Sequence, residues 1–420
     1  MSSTASSRPR LVIIGTGWAG FYTAEYIDTK LYDVTIVSPR RTSAYTPLLA
    51  SAACGLFNFY LAEEPVRSKA RSAIQYVKAN VLSINFDRTV LKCAPAFEED
   101  PELEKDEFDI EYDILIVAPG CVPNTFNTPG VAEHALFMKN VSDAMAVRKL
   151  LFDLLEKASL PHMPQNRISD LLHIAIVGGG PTGIELTAEL DDLAKHELKH
   201  LYPRIADNIR ISIYDVAPNI LGSYDKKLYE YANGQLVRRN VHVATSSRIA
   251  KVDASAMYLA QRDSDTPERV PYGMLIWATG NKNTALVDQL AGSVRTSEKG
   301  LKRILTDNHL RVFKGKDEIY ESVYALGDAA DIDGASLPTT AEVAVQKAKY
   351  LVGNLNNASS PVSGKAFEYR QKALVSYIGQ RDGVIAARKD GKAGQARAPG
   401  SRGGVGVSCG PGAGGTELQS

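Results

Sequence analysis

The sequence predicts an α/β protein in which one parallel-sheet unit interrupts another, and three repeated features predict it. Two glycine-rich turns, Gly15-Thr16-Gly17-Trp18-Ala19-Gly20 and Gly178-Gly179-Gly180-Pro181-Thr182-Gly183, each follow an apolar run that reads as a buried strand, at residues 11–14 and 174–177. Each turn opens into helix-forming sequence, at residues 21–27 and 184–190. Further on comes a second strand, residues 33–38 and 209–214, and then a strand that closes on small residues and glycine, residues 115–120 echoed by 275–280. The matched order of these features reads as an internal duplication. Strand–GxGxxG–helix is a dinucleotide signature because its parts have separate physical jobs. The first glycine makes the tight turn, the second lets backbone approach a pyrophosphate, and the third lets helix pack closely on strand. The anion then sits on a helix N-terminus, where unpaired N–H groups and the dipole favour it. Two signatures therefore predict two Rossmann-like dinucleotide-binding domains.

Taken in order, residues 1–9 carry Ser, Thr and Arg without an acid and are expected as a disordered leader, too short for a convincing transit peptide. Residues 10–135 make the first part of the first domain. Within it, residues 43–67 mix proline, aromatics and small residues, as a structured loop with a short helix does. Alternation over residues 74–86 and 89–93 predicts antiparallel strands, and the acidic stretch 98–107 predicts a solvated hairpin tip. Residues 136–170 supply a helix, over 141–157, and a linker. Residues 171–295 make the second domain. Residues 296–360 return to the first, with a strand ending at Gly327-Asp328 and a helix over 340–355. Strand-like pieces in 361–388 begin a C-terminal domain. From Lys389 to residue 420 glycine dominates and apolar periodicity disappears, so a disordered tail is expected.

Composition excludes several classes. Lys+Arg and Asp+Glu both number 48, so net charge points to no nucleic-acid partner. No stretch approaches the roughly 18 apolar residues of a membrane span. The cysteines at 54, 93, 121 and 409 form no CxxC pair, which argues against a redox dithiol or a zinc ribbon and leaves them as small apolar fillers. His196 and His200 lie four apart in a Lys-rich polar helix, and no metal site is expected.

The two units differ where they would meet a ribose. Asp215 ends the second strand of the second unit, the position that takes the ribose 2′-OH of NAD, and its carboxylate would repel a 2′-phosphate, which favours NADH. The first unit has Ser38-Pro39-Arg40-Arg41 there. Its partner feature is Gly327-Asp328: a strand-end Asp can bind flavin ribityl hydroxyls while the following helix faces the ring, and the Asp can equally cap that helix. Fingerprint and Gly-Asp together form a two-part FAD signature. Glu185 sits one turn into the second fingerprint helix, between nicotinamide and flavin or simply favoured in a helix first turn. Glu342 and Gln346 stack on the later helix, toward the flavin and a second substrate or toward solvent.

The residues quoted so far, with Tyr45-Thr46-Pro47-Leu48-Leu49, residues 32–40, 124–131 and 324–329, make the chain similar to the type II, alternative or rotenone-insensitive, NADH:quinone oxidoreductases of fungal and plant mitochondria, over about residues 10–385. The resemblance accounts for Ser38, Pro39 and Arg40 in place of the acid. It implies a glutathione-reductase-like flavoprotein fold, with the NADH domain inserted in the FAD domain. FAD would be held by Gly15, Gly17, Trp18, Ala19, Gly20, Ser38, Pro39, Arg40, Thr46, Pro47, Leu48, Gly120, Gly327 and Asp328. NADH would be held by Gly178, Gly180, Pro181, Thr182, Gly183, Asp215, Thr279 and Gly280. Glu185, Glu342 and Gln346 would be the catalytic residues, with the 341–346 helix lining a ubiquinone pocket beside Pro47. It further implies peripheral placement on the mitochondrial inner membrane, no proton pumping, and a homodimer as one assembly. Two departures stand out. Glu342 replaces the family's usual Gln, and the glycine-rich tail stands where family members carry membrane-docking amphipathic helices. A truncated or frame-shifted reading frame would explain that tail, or a true variant with lost anchoring; if the tail is authentic, weak membrane binding, retained FAD and NADH oxidation with soluble acceptors, and poor turnover of long-chain quinones are expected.

Two other readings stay open. One is a flavoprotein of the same fold with another acceptor, resembling ferredoxin reductases or apoptosis-inducing factor. The other is a dinucleotide-binding protein without turnover.

Overall fold

The computed structural model describes residues 8–97, 99–261, 266–316, 318–357, 365–389 and 392–398. Among these, one ten-stranded sheet has a parallel centre running Ile319–Ala325, Ile114–Val117, Arg10–Ile14, Asp33–Ser38 and Gln75–Asn85. The innermost of these, Arg10–Ile14 and Ile114–Val117, read as near-continuous apolar runs because both faces are covered. Leu11, Ile13, Ile36 and Ile116 pack on one side with Ala344, Ala348 and Leu351 of the helix Ala341–Leu355. Val12, Ile14, Leu115 and Val117 pack on the other with Leu286 and Val287. Gln75–Asn85 continues into the antiparallel strands Val90–Pro95 and Phe108–Glu111, and the acidic stretch is the exposed connection between the last two. Strands from both ends of the chain thus share one sheet, which is the physical sense in which the second unit is inserted.

The second unit is a four-stranded parallel sheet in the order His242–Ala244, Arg210–Tyr214, His173–Val177, Met274–Trp277, with an antiparallel meander, Ile249–Val252, Ala256–Leu259 and Glu268–Pro271, beside it. The two units share a strand pair at their junction. Cys121–Pro123 pairs antiparallel with Asn281–Asn283, and each strand begins directly after the glycine that ends an echoed strand, Gly120 or Gly280. The chain therefore leaves the first unit and re-enters it through the same junction.

Beyond the helix Ala341–Leu355, the strands Ala373–Gly379 and Asp382–Lys389 form a hairpin that packs on the second fingerprint helix, Pro181–Leu193. Ile378 and Val384 join its core, and the Tyr377 hydroxyl donates to Asp192 at 2.6 Å. A difference from the expected tail follows. Residues 392–398 are not structureless: Lys392–Ala398 pairs with Asp382–Lys389 from Lys389↔Lys392 to Gly383↔Ala398. Ladder hydrogen bonds use backbone only, so a glycine- and alanine-rich segment without periodicity still pairs once a strand edge is presented. The leader and the remaining tail, with Cys409, fall at residues 1–7 and 399–420, outside the described residues. Among the described residues no helix is long and apolar enough to cross a membrane.

Candidate active site

The two fingerprints fold into the same device. Gly15 and Gly178 adopt φ of +99° and +121°, their amides donate to Val37 and Tyr214 carbonyls, and a Cβ on either would strike the Ala118 or Ala278 carbonyl. A Cβ on Gly20 would lie 2.1 Å from the Gly15 carbonyl oxygen, and one on Gly183 1.9 Å from that of Gly178. Around Gly17 and Gly180 a Cβ would meet nothing within 4 Å. First and third glycines are thus demanded by the protein's own packing, while the second faces open space that a ligand backbone contact would use.

A cavity of about 870 Å³ opens at the first fingerprint and is bounded by Gly15, Thr16, Gly17, Trp18, Ala19, Ser38, Pro39, Arg40 and Thr46 on one side and Gly120, Gly327 and Asp328 on another. Thr182, Thr279 and Gly280 of the second unit also line it, so it spans the junction between the units. Thr339, Thr340 and Ala341 close a third side with the N-terminus of the helix Ala341–Leu355, which Thr340 caps. The volume lies in the range of about 300–1,000 Å³ typical of ligand pockets. Pro47 and Leu48 continue the Thr46 turn but do not line the cavity.

Asp328 is not the cap of a long helix. A short 3₁₀ turn, Gly327–Ala329, and a strand, Ala330–Ile332, separate it from Ala341–Leu355, and its carboxylate instead accepts the Cys121 thiol at 3.0 Å. Cys121 is therefore no apolar filler. Its thiol also lies 3.5 Å from the Lys139 ammonium, which donates to the Asn281 side-chain oxygen at 2.5 Å, and Asn281 donates to Thr339 at 3.1 Å. Burial and the Asp328 charge push the Cys121 thiol up to about 12, so it remains protonated and donates. Sequence reading missed this network. The available signal was the echo itself, since Cys121 and Asn281 both directly follow its closing glycine.

In the second unit Asp215 accepts the Gly179 amide at 2.5 Å and the Ala217 amide at 2.7 Å. Gly179, passed over in the sequence, is needed there: a Cβ would meet Ile220 at 2.9 Å and the Asp215 carboxylate at 3.0 Å. Glu185 lies beneath the strand Ala373–Gly379 rather than on the cavity wall. Burial raises its carboxyl to about 7, partly offset by the Tyr377 backbone and reinforced by Glu189. Glu189, one turn on, is also raised by burial and accepts Ser51 at 2.6 Å. Glu342 and Gln346 are tied to the chain that follows: Gln346 donates to Glu342 at 2.6 Å and to the Arg370 carbonyl at 2.7 Å, and Lys372 pairs with Glu342 at 3.0 Å. Among the described residues no cluster of ligand-type side chains could hold a metal.

Comparison with known proteins places these features in context. Residues 9–348 match the family model described as pyridine nucleotide-disulphide oxidoreductase. A probable NADH dehydrogenase of Dictyostelium discoideum is 32% identical over 380 residues, 90% of this chain and 80% of that protein. An external alternative NAD(P)H-ubiquinone oxidoreductase B1, mitochondrial, of Solanum tuberosum is 36% identical over 78% of this chain and 56% of its own length. The chain thus spans little more than half of the plant relatives it matches. Among solved structures, NDH2 from Plasmodium falciparum in complex with NADH superposes with a TM-score of 0.83 at 25% identity, over 94% of this chain and 92% of that one.

Proposed function

Because the chain belongs to the pyridine nucleotide-disulphide oxidoreductase family, we propose that it oxidises NADH with FAD as hydride acceptor and delivers the electrons to ubiquinone, without pumping protons. One observation carries the reading: a single cavity is walled by the first fingerprint, by Gly327-Asp328 and by Thr182, Thr279 and Gly280 of the second unit. Two dinucleotides bound at these turns would meet inside it.

The residues present fit both groups. The space beside Gly17 and the donors of the adjoining helix Trp18–Tyr26 suit a pyrophosphate, and Asp328 suits hydroxyl donors. In this reading residues 10–135 and 296–360 hold FAD, residues 171–295 receive NADH, and residues 136–170 link them. Bound FAD supplies two-electron hydride chemistry that the side chains lack. The chain's own part is positional and electrostatic. The N-terminus of Ala341–Leu355 presents its positive end to the cavity, Cys121, backed by Lys139, holds Asp328 in place, and Asp215 orients the second fingerprint toward a ribose. Glu185, poised near neutrality, is suited to hold a proton during quinone reduction. In the same reading Glu342 and Gln346, on the helix beyond Ala341, would stand beside the second acceptor, near Pro47 and its loop. The mitochondrial relative supports a mitochondrial location, and the resemblance adds peripheral placement on the inner membrane.

Anaerobic addition of NADH to the flavin-loaded protein tests the reading: flavin absorbance bleaches and returns with a water-soluble ubiquinone analogue. Persistent absorbance would leave a dinucleotide-binding protein, and return only with an iron–sulfur acceptor would shift the reading to the other flavoprotein class. A disulfide acceptor is disfavoured because, among the described residues, Cys54 and Cys93 are buried and Cys121 donates to Asp328.

A further inference from the structure

Residues 44–62 contain no charged residue and no histidine, nineteen positions in a row in a chain that is 23% charged. They form one loop. Thr42–Ala44 pairs antiparallel with Glu63–Pro65 and closes it, with the Tyr45 amide donating to Ala62 at 2.8 Å. One side of the loop is core: Leu49, Ala50, Ala52, Ala53 and Cys54 pack on the helices Val141–Ala158 and Pro181–Leu193. The other side is bare. Leu56, Tyr60 and Leu61 are 61%, 67% and 54% exposed, and Tyr45 is 44% exposed. An uncharged, outward-facing group of large apolar side chains marks an interaction surface rather than a solvated loop.

Its position and rim identify what it meets. Tyr45 packs edge-on against Trp18 at 5.3 Å, and the Trp18 indole donates to Thr46 at 3.0 Å; Trp18 and Thr46 both line the cofactor cavity. The bare surface thus borders the cavity mouth. At the closed base of the loop the acids are engaged internally, Glu63 by Thr42 at 2.7 Å and Glu64 by Arg71 at 2.9 Å, while Arg41 and Lys69 are exposed, as is Arg67, whose guanidinium also donates to the Tyr76 carbonyl at 2.7 Å. Exposed leucines and tyrosines on an uncharged loop, with exposed cations at its closed base, are the side-chain classes of a bilayer interface: apolar groups for the hydrocarbon boundary, tyrosines for the headgroup level, cations for an anionic surface.

We propose that residues 45–61 dock on an anionic phospholipid bilayer, inserting Leu56, Tyr60 and Leu61 and setting the cavity mouth against the membrane that dissolves the quinone. The choice of a bilayer over a protein partner rests on the quinone reading above. The surface is independent of residues 399–420. Its attachment is interfacial, since the loop is anchored in the core on its inner side.

The test is cosedimentation of the flavin-loaded full chain with phosphatidylcholine vesicles, with and without phosphatidylglycerol. The triple variant Leu56→Glu, Tyr60→Glu, Leu61→Glu is compared with wild type and with a control, Leu160→Glu with Leu201→Glu, exposed leucines outside the loop. The expected result is stronger binding with phosphatidylglycerol, at least a tenfold loss of partitioning in the triple variant, and none in the control. Flavin retention and reduction of a water-soluble quinone should match wild type in all three proteins. Partitioning unchanged in the triple variant, equally lost in the control, or absent in wild type overturns the proposal. So does a wild-type dimer that the triple variant abolishes, which would show a second copy on this face. If vesicle binding follows the variants while no quinone is reduced, the docking surface stands and the quinone reading falls.

Discussion

Ser38 and Asp215 occupy the same place in the two duplicated units, and each grips the residue after the first fingerprint glycine, by different chemistry. The Ser38 hydroxyl lies 3.0 Å from the Thr16 hydroxyl, side chain to side chain. The Asp215 carboxylate reaches past a missing side chain to the backbone amide of Gly179. Thr with Ser, and Gly with Asp, are thus matched pairs: the bulkier carboxylate fits because position 179 has no Cβ to displace it. The difference leaves carboxylate charge at the second turn only.

Asp215→Ser should therefore lower kcat/KM for NADH by about tenfold, or about 1.4 kcal/mol, and leave NADPH unchanged or improved because a repulsive charge is gone. Steady-state kinetics with both nucleotides check this. A parallel loss for NADPH would assign Asp215 a purely structural role.

The third glycines separate the two sites. Gly20→Ala drives a methyl against the Gly15 carbonyl and should abolish flavin retention. Gly183→Ala does the same at Gly178 and should leave flavin bound while bleaching by NADH slows at least about a hundredfold, on the order of 2.7 kcal/mol. Flavin stoichiometry and stopped-flow absorbance read the two effects. Equal flavin loss in both variants would contradict the assignment of turns to cofactors.

Lys139 links the junction strands through Asn281 and stands by Cys121, the thiol that engages Asp328. Lys139→Met should raise the flavin dissociation constant about tenfold, since a buried acceptor loses a charged donor at a cost of about 1.5–3 kcal/mol. Cys121→Ser should be nearly neutral, because a hydroxyl also donates to Asp328, whereas Cys121→Ala leaves the carboxylate without that donor and should weaken binding. Flavin fluorescence released on dilution measures all three.

Glu185 predicts a pH dependence of stability. Burial raises its folded value from 4.5 to about 7, so the ionised form is disfavoured in the fold. The contribution is full below pH 4.5 and is lost as pH rises through 7, on the order of 3 kcal/mol. Glu185→Gln removes the titrating group, so the variant should gain on wild type between pH 4.5 and 7 and hold a constant lead above. Urea denaturation across that range decides it; parallel curves would mean that Glu185 stays ionised throughout.

The recurrence of the fingerprints was legible because a glycine that closes a turn leaves a local mark, and so do the apolar strands beside it. The roles of Gly15, Gly20, Gly178 and Gly183 needed no more than that. Beyond the echo that precedes Cys121 and Asn281, the long-range contacts left no local mark: Cys121 meets Asp328 from 207 positions away, Lys139 meets Asn281 from 142, and, outside that network, Ser51 meets Glu189 from 138. Residues 392–398 escaped for another reason, since strand pairing there draws on backbone rather than on side-chain pattern.

Local sequence was enough to declare two parallel-sheet units, their order and their glycine turns, because turn geometry and strand burial act over a few residues. Tertiary structure alone decided that the two turns share one cavity, that a thiol backed by an ammonium holds Asp328, and that Glu185 is covered by a C-terminal strand. Those outcomes depend on which distant segments cross at the Gly120–Gly280 junction, and burial and charge act there through space, without regard to chain separation.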